Sequence, residues 1–168
     1  EDLDVPPTFV SFAITGADTS DVITPELKAG NHVLAEFMLP KDAYHVYDFV
    51  ALRKTYDTIH ALMQEGKIKA AYTIKDGGLI EAIFKSAFGN EIGVEINEEL
   101  TLNDLLAKNY GHILVEVEDE DVIKPFNNVR LIGKTNESAQ VSYRGESVSL
   151  NEAYEWNTKP LDDVYPTT

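Results

Sequence analysis

Ala70-Ala71-Tyr72-Thr73-Ile74-Lys75-Asp76-Gly77-Gly78-Leu79 carries an apolar, β-forming run into paired glycines, and a strongly amphipathic segment begins at once. Leu79, Ile80, Ile83, Phe84, Ala87 and Phe88 fall in two adjacent i, i+4 rows, which predicts a helix with one buried face and a Glu81–Lys85 pair outside. The first backbone N–H groups of such a helix have no intrahelical acceptor and carry the positive end of its dipole. Glycine lets an anionic oxygen approach them with no side chain in the way. The junction is therefore a candidate oxyanion or phosphate site. A second reading stands beside it: Asp76 caps the helix and the glycines only let the strand meet it. A capping carboxylate would compete with an anion for the same amides, unless Lys75 or another domain offsets its charge.

Outward from this junction, alternation and turn residues predict strands over 8–15, 32–39, 92–96 and 112–118, and a closing set over 129–134, 140–143 and 147–150. A long helix is expected over 48–65, with Phe49, Leu52, Tyr56, Ile59 and Met63 on one stripe, Asp48 as cap and Gly66 as terminator. Shorter helices are expected over 101–107, capped by Thr101, and over 151–156. Strands and helices mix without strict alternation. The pattern fits an α+β layered domain with a mixed, largely antiparallel sheet covered by helices, not a doubly wound parallel one. Residues 1–7, acidic and proline-rich, read as a linker, 8–157 as one domain and 158–168 as a tail.

At 168 residues the chain can remove roughly 70% of its unfolded surface from water, so a real core is available. The formal net charge of −15 argues against nucleic acid and against an anionic membrane surface as partners. Cysteine is absent, which excludes disulfides and thiolate sites and fits a reducing, cytoplasmic setting.

Other motifs carry less. Gly133-Lys134-Thr135 looks like the end of a phosphate loop, but Asn128 stands where that loop needs glycine and Val129-Arg130-Leu131-Ile132 reads as strand. His32, His45, His60 and His112 are too far apart for a local zinc site and read as structural or exposed. The acidic stretch 116–121 reads as a solvated charge run, not a cation loop, and no metal site is expected. Asn136-Glu137-Ser138 matches a glycosylation acceptor with no secretory feature to support it. No nucleophile elbow or Ser, His, Asp set stands out, so any catalytic site is completed elsewhere.

Three stretches together, Pro6-Pro7-Thr8-Phe9-Val10-Ser11-Phe12, Ala71 through Ala82 around the glycines, and Ala87-Phe88-Gly89-Asn90-Glu91-Ile92-Gly93-Val94, resemble phosphoribosylformylglycinamidine synthase. The resemblance is closest to the carboxy-terminal-type synthetase domain in the second half of the large single-chain form, a fold shared with aminoimidazole ribonucleotide synthetase. Leu150-Asn151-Glu152-Ala153-Tyr154-Glu155-Trp156 and Pro160-Leu161-Asp162-Asp163-Val164-Tyr165-Pro166 resemble the hand-over toward a glutaminase region.

The resemblance implies a ligase of purine biosynthesis that uses ATP, Mg2+ and glutamine. ATP and Mg2+ would be held mainly by a companion synthetase domain, with no cofactor bound tightly here and the isolated fragment inactive. It implies further synthetase domains and the glutaminase as partners, and a small ribonucleotide as ligand. The family's turn is usually Ser-Asp-Gly-Gly-Leu, so Lys75, Asp76, Gly77 and Gly78 become the expected substrate- or phosphate-binding residues, with Lys75 in place of the serine. The alternatives are a structural module that buttresses the catalytic half and the glutaminase, or a related domain of selenophosphate synthetase or hydrogenase-maturation type.

Overall fold

The computed structural model describes residues 8–162 and 164, so the expected 1–7 linker and the end of the tail lie outside the described residues. Seven strands among the described residues form one sheet: β1 (Val33–Phe37), β2 (Ile68–Thr73), β3 (Gly93–Ile96), β4 (Ile113–Val117), β5 (Val129–Asn136), β6 (Gln140–Tyr143) and β7 (Glu146–Ser149). Their order is β2-β4-β1-β5-β3-β6-β7. All pairs are antiparallel except β3 with β6. This is the α+β architecture expected from the pattern. Four helices cover the sheet: α1 (Phe49–Gln64), α2 (Gly78–Phe88), α3 (Leu102–Leu106) and α4 (Leu150–Asp162).

The interior strand β1 is buried along its whole length and divides the core. Val33, Ala35 and Phe37 point to the face covered by α1, where Ile59, Leu62, Ile68, Val115 and Val117 complete one apolar cluster. Leu34 points to the opposite face, where α2 supplies Leu79, Ala82, Ile83 and Ala87 against Ile96, Leu114 and Ile132. Burying each of these large side chains contributes about 1.5–3 kcal/mol. The helix predicted after the glycines is thus the main cover of one face, and its six patterned side chains all join that cluster or pack on it.

In α1, Asp48 accepts hydrogen bonds from the amides of Val50 and Ala51, as a cap should. Ile59 and Leu62 are buried, Tyr56 and Met63 pack at the margin, and Phe49 is exposed at the first turn.

The strand expected over 8–15 does not form, and Phe9, Val10, Phe12 and Ile14 are exposed. Alternation makes a segment fit for a ladder, but a strand exists only where a sheet edge supplies the partner. This segment joins none of the seven. The last helix is longer than expected and runs past Trp156 through Pro160, because Tyr154 packs its ring edge-on to Phe88 of α2 at 5.4 Å and seats the helix on its neighbour.

Candidate functional site

The β2–α2 junction is a tight turn. The Gly78 amide donates to the Lys75 carbonyl at 3.0 Å, and Gly77 at φ −81°, ψ 4° has the geometry of the third residue in a type I turn. Lys75, Asp76 and Gly77 are exposed, whereas Gly78 is buried. The two glycines do different jobs. Gly78 sits at φ +72°, and a β-carbon there would lie 2.7 Å from the Leu105 carbonyl oxygen and 2.8 Å from the carbonyl carbon of Leu106, so glycine is what lets α3 pack on the turn. Gly77 has an ordinary φ, and its amide donates to Glu81 Oε2 at 2.9 Å. Glu81 also holds Lys85 at 2.5 Å, the outer pair expected from the spacing.

Asp76 does not cap the helix, contrary to the second reading of the turn. Its carboxylate accepts from the Tyr110 hydroxyl at 2.5 Å and lies 3.4 Å from the Lys108 ammonium. The Tyr110 bond and then Lys108 hold the Asp76 carboxyl below its usual range. The carboxylate is therefore drawn aside, and α2 opens on Gly77, which has no capping side chain. The Lys75 ammonium lies 5.3 Å from the centre of the Tyr72 ring. Lys75, Lys108 and Tyr110 thus line an exposed turn, with Lys108 and Tyr110 engaged by the Asp76 carboxylate, Glu81 on the Gly77 amide and the Lys75 ammonium beside them. Such a surface suits holding an anionic group; it contains no nucleophile paired with a base.

No family model matches the chain. Among curated proteins it is similar to the phosphoribosylformylglycinamidine synthase subunit PurL of Limosilactobacillus fermentum, at 26% identity over 110 residues, which is 63% of this chain and 15% of the relative. PurL of Methanocaldococcus jannaschii gives 27% identity over 124 residues, 68% of this chain and 17% of the relative. Among solved structures it is similar to T. maritima PurL complexed with FGAR, at TM-score 0.64 and 12% identity over 79% of this chain and 29% of that one.

The chain is similar to part of PurL in sequence and shares its fold.

It spans less than a fifth of the length of those two curated relatives. T. maritima PurL has also been solved with ATP, with ADP and as PurLQS. E. coli HypE, a hydrogenase maturation protein, shares the fold at TM-score 0.56 and 17% identity.

Two buried carboxylates carried no expectation of burial from the sequence. Glu36 is fully buried in β1, where it accepts from His112 at 2.8 Å and from Nη2 and Nε of Arg130 at 2.6 and 3.1 Å. Burial pushes its carboxyl up, but the bonds from His112 and Arg130 outweigh that and hold it below the usual range. Arg130 also bonds Asp104 of α3 through Nη1 at 2.5 Å. Glu116, assigned from sequence to a solvated run, is instead fully buried in β4. It accepts from His32 at 2.7 Å and from the amides of Lys28 and Ala29 at 2.8 and 3.2 Å. The signal was present: each glutamate interrupts an unbroken apolar strand, where a charge survives only if paired.

His32 and His112 are thus structural, while His45 and His60 are exposed. Gly133-Lys134-Thr135 lies within β5, and Gly133 allows the Glu95 carbonyl of β3 to approach closely. Among the described residues no group of three or more His, Asp or Glu side chains could hold a metal ion. None of the described helices is long and apolar enough to cross a membrane.

Thr101 and Asp104 form a reciprocal capping box that fixes α3. The Thr101 hydroxyl and amide, then Arg130, lower the Asp104 carboxyl from 3.8 to about 2. A carboxyl depressed in the folded state contributes stability that is complete above its ordinary pKa and is lost as pH falls through the depressed one. The contribution is therefore present at neutral pH and disappears between about pH 4 and about pH 2. Thermal midpoints followed down that window should fall, and fall less in Asp104→Asn.

Proposed function

We propose that this domain forms one wall of the ligand cleft in a phosphoribosylformylglycinamidine synthase. That ATP- and glutamine-dependent ligase converts formylglycinamide ribonucleotide to formylglycinamidine ribonucleotide, here in the cytoplasm. The observation that carries the proposal is the exposed Lys75–Gly77 turn, flanked by Lys75 and Lys108, with the Asp76 carboxylate drawn off the mouth of α2. The turn's part is to bind and orient an anionic group of the ribonucleotide, most simply its phosphate.

Lys75 serves as a mobile point charge where the family has a hydroxyl. The first turn of α2 adds the positive end of its dipole. The Gly77 amide is reached when the ligand displaces Glu81, which stays paired with Lys85.

ATP would supply a phosphoryl group to the amide oxygen, leaving ADP, and ammonia from glutamine would attack the amide carbon and expel phosphate. As the resemblance implies, metal and nucleotide are held mainly by a companion synthetase domain. The isolated domain is then inactive.

In the intact synthase, Lys75→Ala should raise KM for the ribonucleotide about tenfold, the effect of losing roughly 1.4 kcal/mol of charge interaction. The KM for ATP should stay within twofold. Steady-state kinetics with each substrate varied in turn measures both, and an unchanged ribonucleotide KM would remove the turn from the cleft.

The competing reading is a buttressing module. It draws support from the two glycine amides being bonded within the chain and from Gly78 packed beneath α3. It requires Lys75→Ala to leave every KM unchanged.

A further inference from the structure

The buried Glu36 carboxylate lies at the fork of two paths that end on opposite sides of the Lys75–Gly78 turn. One path runs through His112. Its ring is held by Glu36 at 2.8 Å, and its backbone carbonyl accepts the Ile74 amide at 3.0 Å, one residue before the turn. The other runs through Arg130, whose guanidinium joins Glu36 to Asp104 of α3. The backbone of Leu105 and Leu106 in that helix closes over Gly78, leaving no room for a β-carbon. Asp104 is itself fixed, because its second oxygen accepts from the Thr101 amide at 2.8 Å and the Thr101 hydroxyl at 2.5 Å.

We infer that Glu36, His112, Arg130 and Asp104 form a charge clamp that positions the diglycine turn, with Arg130 and Asp104 as positioning residues for the anion held there. The inference rests on the turn contacting a ligand, as proposed above, and adds residues that touch no ligand themselves.

Two physical arguments favour a clamp over a chance buried pair. A buried ion network is a poor source of net stability compared with apolar side chains of the same volume, so its use in the middle of a sheet calls for geometric specificity. The guanidinium fork is also the one cationic side chain that can bond two carboxylates in fixed directions at once. Here those carboxylates belong to the interior strand β1 and to the helix that roofs the turn. An α3 released from Arg130 would still be capped by Thr101 but free to lift from Gly78. The turn would then lose its fixed approach to α2, and misplacing a binding group by about 1 Å is enough to cost up to 100-fold.

The experiment uses the intact synthase and four variants: Arg130→Lys, Asp104→Asn, Lys75→Ala and the Arg130→Lys/Lys75→Ala double. Arg130→Lys keeps the charge but not the fork. The clamp predicts a five- to twentyfold rise in ribonucleotide KM for Arg130→Lys and for Asp104→Asn, with ATP KM little changed when both are assayed well below their lowered thermal midpoints. It also predicts a double variant no worse than about twice the poorer single, because a misplaced turn has already lost the Lys75 contact. If Lys75→Ala raises KM while both clamp variants leave it alone, the clamp is overturned and the site stands. If Lys75→Ala leaves KM alone as well, the site reading itself fails. Fully multiplicative effects in the double variant overturn the clamp even where each single raises KM.

Discussion

Glu36→Ala should destabilise the chain by about 3–5 kcal/mol, the cost of leaving one partner of a buried ion network uncompensated. Both Arg130 and His112 lose their acceptor, and a cavity is left at a fully buried position of β1, on the face that Leu34 shares. Urea unfolding followed by the Trp156 and tyrosine signals measures this directly. Glu36→Gln should cost less, since the amide oxygen still accepts one bond. The combined Glu36→Leu, His112→Leu, Arg130→Met variant should recover much of the loss, because the buried members of the network are exchanged for apolar groups, often a neutral change, and the remaining Asp104 is partly exposed. Recovery of stability without recovery of ribonucleotide affinity would separate what the network does for the fold from what it does for the turn.

Gly78→Val should be nearly as damaging, at about 2–5 kcal/mol. Left-handed backbone at φ +72° costs a side chain with a β-carbon about 1–2 kcal/mol. Forcing atoms against the Leu105 carbonyl adds overpacking of about 1–3 kcal/mol. Gly77→Ala should cost less, because φ −81° suits alanine, although the added carbon would lie 2.5 Å from the Glu81 β-carbon and force the first turn of α2 to shift. Thermal melts of the two variants side by side would show the asymmetry, and equal losses would contradict the division of labour between the glycines. Gly78 is accordingly a poor probe of ligand binding, since its replacement disturbs α3 before any ligand arrives. Lys75, exposed and clear of the core, is the sharper one.

What the sequence made legible follows from the range of each interaction. The α2 helix, the α1 helix with its Asp48 cap and the Thr101 start of α3 rest on contacts within four residues, and the structure places them where the pattern did. Strand positions were legible from alternation, but their order in the sheet was not, since β1 pairs with strands about 80 to 100 residues away. The same limit explains residues 8–15, where a correct period lacked a sheet edge. It also explains Glu116, whose neighbours Glu118 to Asp121 made it look like part of a charge run while its partners lay at Lys28, Ala29 and His32.

At the site, the four expected residues are contiguous and three of them face solvent. Lys108 and Tyr110, which decide where Asp76 points, come from a loop some 30 residues on and had no sequence signal.

The most direct measurement is a structure of the intact synthase with formylglycinamide ribonucleotide bound. The account predicts an anionic oxygen of the ligand within hydrogen-bond reach of Lys75 Nζ, with Glu81 turned away from the Gly77 amide. A ligand bound at full occupancy elsewhere, with the Gly77–Glu81 bond intact and Lys75 in open solvent, would contradict it.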